Sequence, residues 1–113
     1  MRYLLLLHVD ENGWTRLTPD QQAEGMAAYG AYNDALGRAG ALVSSGRLAP
    51  SANALAIRTI GGKPVTMDGP FAETKEQIGG YYLIEVADAS AAADWASRCP
   101  AAGHGTVEVR QVL

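Results

Sequence analysis

The chain has 113 residues, 48% of them hydrophobic and 19% charged, with a formal net charge of −3. That length makes one domain with one core, burying roughly 60–70% of the surface the unfolded chain exposes, and the composition leaves no tract for disorder or low complexity. The acid excess and the scatter of the nine basic residues give no footprint for a phosphate backbone, so nucleic acid is not an expected partner.

The apolar run Leu4 to Leu7 is cut by His8, Val9, Asp10 and Glu11, short of a signal-peptide core or a membrane span. Cys99 is the one cysteine, so no intrachain disulfide forms and the chain suits a reducing cytoplasm. It reads as a small apolar residue at a helix end rather than a reactive thiol.

Tyr3 to Val9 predicts a strand whose unbroken leucines imply that both faces are covered. Thr18-Pro19-Asp20-Gln21 supplies an N-cap, a first-turn proline, an acid at the positive helix end and a capping-box glutamine. The helix runs from Pro19 to about Ala39, with Met26, Tyr29, Asn33 and Leu36 on one face and Gly40 as the stop. Ala41 to Leu48 predicts a second strand, interrupted at Ser44-Ser45-Gly46. Ala54 to Ile60 and Lys63 to Met67 read as a hairpin about Gly61-Gly62. Tyr81 to Val86 is the next strand. A second helix follows, capped by Asp88 or Ser90, with Ala92, Trp95, Ala96 and Cys99 on its inner face and Pro100 at its end. Thr106 to Val112 is the final strand.

This order, β-α-β, hairpin, β-α-β, predicts an α+β fold of ferredoxin-like type: an antiparallel sheet with two helices on one face. Alternation sorts Tyr82, Ile84, Val86, Val107, Val109, Leu55 and Ile57 toward the helices. It leaves Arg58, Tyr81, Glu85, Glu108 and Arg110, with Arg2, Leu4, Leu6 and His8, on an open face that needs a cover.

Between Asp68 and Glu85 the chain reads D-G-P-F-A-E-T-K-E-Q-I-G-G-Y-Y-L-I-E. Asp68 before Gly69-Pro70 predicts a stiff corner closed by an Asx turn, and Glu73, Lys75 and Glu76 fall in a short helical turn before Gly79-Gly80 releases the chain into its strand. This stretch, together with Tyr3 to Leu7, W-A-S-R-C-P-A-A from Trp95 and G-T-V-E-V-R from Gly105, closely resembles the YCII-related family and its subgroup named for the D-G-P-F motif. The resemblance implies ferredoxin-like subunits that pair as homodimers in a dimeric α/β-barrel-type assembly. A cavity then closes between two sheets, with an Asp and in some members a His at the active site. The family's reaction is largely unassigned. Ser44-Ser45-Gly46-Arg47 stands where relatives have a Gly-Glu-containing strand end, which removes one acid from the sheet.

Asp68 is accordingly the first catalytic candidate, as base, acid or ligand anchor, against a purely turn-forming role. His8, at the end of the first strand, is the second, because an imidazole near a carboxylate makes an acid–base pair at neutral pH. Arg58 and Arg110 are candidates to hold an anion bidentately, against ion pairing with Glu85 or Glu108; Tyr81 and Glu108 complete the expected ligand-binding set. Two isolated histidines give no metal-ligand spacing, no phosphate loop or nucleophile elbow occurs, and neither metal nor cofactor is expected. Two functions remain open: a small organic, anionic ligand bound with acid–base chemistry, or a non-catalytic accessory protein. The second follows from the resemblance, since some D-G-P-F proteins are associated with extracytoplasmic-function sigma factors.

Overall fold

A computed structural model describes residues 1–70 and 74–113. Its elements are β1 (Arg2–Val9), α1 (Pro19–Arg38), β2 (Leu42–Arg47), β3 (Leu55–Ile60), β4 (Lys63–Asp68), β5 (Gln77–Glu85), α2 (Ala89–Arg98) and β6 (Thr106–Val112). Four strands form one antiparallel sheet in the order β2-β5-β1-β6, while among the described residues β3 and β4 pair only with each other. The expected ferredoxin-like α+β order is therefore present, with both helices on one side of the sheet.

Each helix begins where its local chemistry places it. Thr18 Oγ1 accepts the Gln21 N–H at 3.2 Å and Gln21 Oε1 accepts the Thr18 N–H at 2.9 Å, a reciprocal cap for two otherwise orphaned donors. Gly40, at φ 67°, lets the Ala41 N–H return to the Leu36 carbonyl at 3.0 Å and ends α1. Asp88 caps α2 through the Ala91 N–H.

The core lies between the helices and one sheet face. Tyr3, Leu5, Leu7, Tyr82 and Ile84 point into it and meet Tyr32, Leu36, Ala92, Ala96 and Cys99. Leu5, Leu36 and Ile84 are completely buried, each contributing about 1.5–3 kcal/mol by removing an aliphatic side chain from water. Tyrosine hydroxyls inside this layer are satisfied: Tyr32 donates to the Trp95 carbonyl at 2.7 Å and Tyr82 to Asn33 Oδ1 at 2.6 Å. Their rings meet edge to face.

Several expectations need correction. The inner face of α1 is Tyr29, Tyr32 and Leu36, while Met26 is 67% exposed; the sheet lies one helical position round from the face the spacing suggested. Residues 74–76 are not helical, and β5 begins at Gln77. Gly79 and Gly80 therefore lie inside a strand. They are small because the neighbouring strands leave no room: a Cβ on Gly80 would stand 2.9 Å from the Gly46 carbonyl oxygen, and one on Gly79 2.7 Å from Val9. β2 is one uninterrupted strand, the Ser44-Ser45-Gly46 irregularity being absorbed as a register shift between Leu42 and Ser44. Glu73, expected in the short helical turn, lies outside the described residues.

The largest departure is the hairpin. Gly61 and Gly62, at φ 59° and 79°, make the expected two-residue turn, but the arm built on it lies apart from the core. Leu55 and Ile57, expected against the helices, are 66% and 69% exposed. Arg58, expected on the open face of the main sheet, belongs to this separate ribbon. In consequence the molecule is extended. Its radius of gyration is 16.0 Å against about 13 Å for a compact chain of this length. Its accessible surface is 7492 Å² against about 5,900 Å² for a compact monomer of this mass.

Candidate functional site

The open face of the main sheet can be read row by row from its register. Ser44, Leu83, Leu4 and Arg110 lie across it, then Gly46, Tyr81, Leu6 and Glu108, then His8 beside Thr106. Leucines thus occupy the middle strands and charge the β6 edge. Tyr81 leans over Gly46, where a Cβ would come within 2.8 Å of its ring. Glycine there gives the phenol its place.

His8 and Glu108 come together at the end of this face. His8 Nε2 lies 2.9 Å from Glu108 Oε1, and the second oxygen of Glu108 is 3.5 Å from Arg110 Nε. The carboxylate is shared between an imidazole and a guanidinium. It assigns the imidazole proton to Nε2 and leaves Nδ1 as the basic atom of the neutral ring. Arg110 is therefore ion-paired with Glu108, as weighed from the sequence, but along its own strand rather than across neighbouring ones. Glu85 likewise pairs with Arg2 at 3.5 Å and with the terminal ammonium at 3.7 Å.

A cavity of about 1120 Å³ opens beside the pair. His8, Glu108 and Thr106 form its floor, Thr74 to Ile78 one wall, and Leu48 to Ser51 with Asn53 and Ala54 the other. Two clamps hold these walls. Glu11 accepts the Ser51 N–H at 2.7 Å and the Ser51 hydroxyl at 2.8 Å, tying the β1–α1 loop to the foot of the arm. Thr106 donates to Glu76 at 3.3 Å across the mouth. Neither clamp was foreseen, since both join segments distant in sequence.

Asp68 and Arg58 are elsewhere. Both line a second, smaller hollow of about 280 Å³ on the arm, with Ala56, Met67 and Pro70. Asp68 is exposed at the end of β4, opposite Leu55. The expected Asx turn does not form, because the carboxylate accepts no hydrogen bond among the described residues; the corner is closed instead by the Gly69 N–H donating to the Ala54 carbonyl at 2.6 Å. Gly69 abuts the cavity wall from behind, with an added Cβ falling 2.5 Å from the Ser51 carbonyl oxygen and 2.7 Å from that of Ala54. Within one chain the structure joins His8, Glu108 and Arg110, with Tyr81 in the adjoining row, and separates Asp68 and Arg58 from them.

Burial pushes the hydroxyls of Tyr29 and Tyr82 up to about 12, with nearby Cys99 adding to it. It raises the Tyr32 hydroxyl and the Cys99 thiol as well. These groups stay protonated at neutral pH and belong to the core rather than to the cavity.

A two-layer α+β domain with an uncovered, mixed-polarity sheet face and a histidine–carboxylate pair at one end is the class defined by this geometry. The chain belongs to the YCII-related family: the model of the YCII-related domain matches residues 1–113. Uncharacterized protein R00369 of Rhizobium meliloti (strain 1021) is 36% identical over 112 residues, covering 97% of this chain and 90% of that protein. Among solved structures, 5-chloro-2-hydroxyhydroquinone dehydrochlorinase (TftG) from Burkholderia phenoliruptrix AC1100, in complex with 2,5-dihydroxybenzoquinone, superposes with a TM-score of 0.57. That match covers all of this chain and 94% of the other at 15% identity, and it establishes a common fold. Among the described residues no helix is long and apolar enough to cross a membrane.

Proposed function

We propose that this protein binds a small, oxygen-rich organic anion in the cavity beside His8 and moves a proton on it, working as a homodimer. The carrying observation is the 2.9 Å contact between His8 and Glu108 on the cavity floor. Once Glu108 fixes the Nε2 proton, Nδ1 takes a proton from a C–H or O–H of the ligand, and the carboxylate stabilises the imidazolium that results. Apolar Leu48, Pro50, Ala54 and Ile78 suit the faces of a ring, while Thr74, Gln77 and Thr106 suit its oxygens. The quinone bound by TftG motivates the choice of an oxygenated ring, and the D-G-P-F motif motivates a place for Asp68 in the chemistry.

The test is a screen by melting temperature and calorimetry over hydroxylated benzoquinones, catechols and aromatic carboxylates. We expect at least one to raise the melting temperature in a saturable way, since a ligand of the native state stabilises it. His8→Ala and Glu108→Gln should fold and weaken that ligand more than tenfold. A ligand bound equally by wild type and His8→Ala, or a panel with no saturating member, would overturn the reading. The latter result would turn attention to the accessory role beside a sigma factor.

A further inference from the structure

We infer that the β3–β4 arm reaches across to a second copy of this chain and roofs that copy's His8–Glu108 cavity. The ligand site is then built by two subunits, with Arg58 supplied in trans. This deepens the proposed function and rests on its placement of the site.

A two-stranded ribbon alone is barely stable in water and needs a cover for its apolar side chains. The arm has none among the described residues: Leu55 and Ile57 project from one of its faces, and Ile60, Val65 and Met67 from the other, all exposed. Apolar groups on both faces call for an occupant that receives the arm between its own surfaces.

A second copy fits that requirement in area, charge and reach. The protomer exposes about 1,500 Å² more than a compact chain of its mass, a surplus of the size one subunit buries in an obligate homodimer. The arm holds Arg58 and Lys63 against one acid, Asp68 at its foot, in a chain of net charge −3. The cavity it would roof presents two acids, Glu76 and Glu108, against one lysine, Lys75. Six-residue strands extend about 20 Å beyond the foot of the arm, enough to span a neighbouring cavity.

The arm cannot roof its own. Its foot forms the wall of that cavity and is pinned by Glu11 on Ser51 and by the Gly69–Ala54 hydrogen bond, and Arg58 lies four residues further along. Arg58 makes no ion pair among the described residues, so its guanidinium is available to an anion.

The arrangement can be read without any ligand. Full-length protein carrying the photo-crosslinker p-benzoylphenylalanine at position 58, or at 57 in a second sample, is mixed from isotopically light and heavy chains, irradiated and digested. We expect a mass of two chains before irradiation, and light–heavy crosslinked pairs joining the arm to peptides of the other copy that hold residues 74–78 or 106–108. Crosslinks confined to one chain, light–heavy crosslinks to α1 or α2 instead, or a monomer would each overturn the inference. Because the readout needs no bound molecule, crosslinks as expected alongside a failed ligand screen would leave the arm's placement standing and remove only the chemistry.

Discussion

At the scale of single residues, the structure separates candidates that the sequence had grouped together. His8 and Glu108 lie on neighbouring antiparallel strands with Glu108 directly opposite Leu6, so alternation alone puts both on one face. Their contact across one diagonal step depended on register, which alternation does not provide. Asp68 shows the reverse: a motif that signals a turn, with a carboxylate that makes no turn hydrogen bond among the described residues. Asp68→Ala should therefore change stability by less than about 0.5 kcal/mol, the usual size for an exposed site without a special contact; urea denaturation checks this, and a loss above 1 kcal/mol would restore the turn-forming role. Two tyrosines packed against or within the core carry a pH prediction. Tyr29 and Tyr82 titrate near 12 in the folded chain and near 10 once unfolded. Their contribution to stability is thus complete below pH 10 and is lost as pH rises from 10 to 12, where the unfolded chain releases phenolic protons that the folded one retains. Absorbance at 295 nm should show these rings ionising together with loss of structure; their free titration near pH 10 in folded protein would contradict the packing described.

At the scale of elements, both helices were legible because their signals are local: a capping box, a glycine stop, and an apolar period on α2. Gly30 sits inside α1 with open space around the position of a Cβ, so Gly30→Ala should stabilise by up to about 1 kcal/mol through helix propensity. Gly69 is the opposite case. Its Cβ would press on two backbone carbonyls that cannot swing aside, and Gly69→Ala should cost at least about 1–3 kcal/mol, as overpacking does. It should also open the wall of the cavity. Paired melting curves for the two variants test both signs, and equal behaviour would mean that the foot of the arm is looser than described. The start of β5 was misread for a related reason: Gly79 and Gly80 signal a turn by type, yet their role is contact with Gly46 and Val9, which only neighbouring strands reveal.

At the scale of the whole molecule, the surplus of exposed surface and the bare arm point to assembly. Light scattering at micromolar concentration should give twice the 11.9 kDa of the chain. Ile57→Asp, placed on the exposed arm, should lower that mass toward one chain while the circular dichroism of α1 and α2 persists, and the melting temperature of the wild type should rise with protein concentration. A concentration-independent melting temperature in a particle of one chain's mass would refute the pairing. The sequence by itself determined the order of elements, the start of α1, the hairpin turn and the face polarity of the strands in the main sheet, since each follows from dihedral preference or a period of two to four residues. Only the tertiary structure decided that the hairpin leaves the sheet, that Asp68 and Arg58 travel with it, and that Glu11 and Ser51 meet. Those outcomes rest on contacts between residues dozens of positions apart, whose favourable energy appears only after the chain has closed on itself.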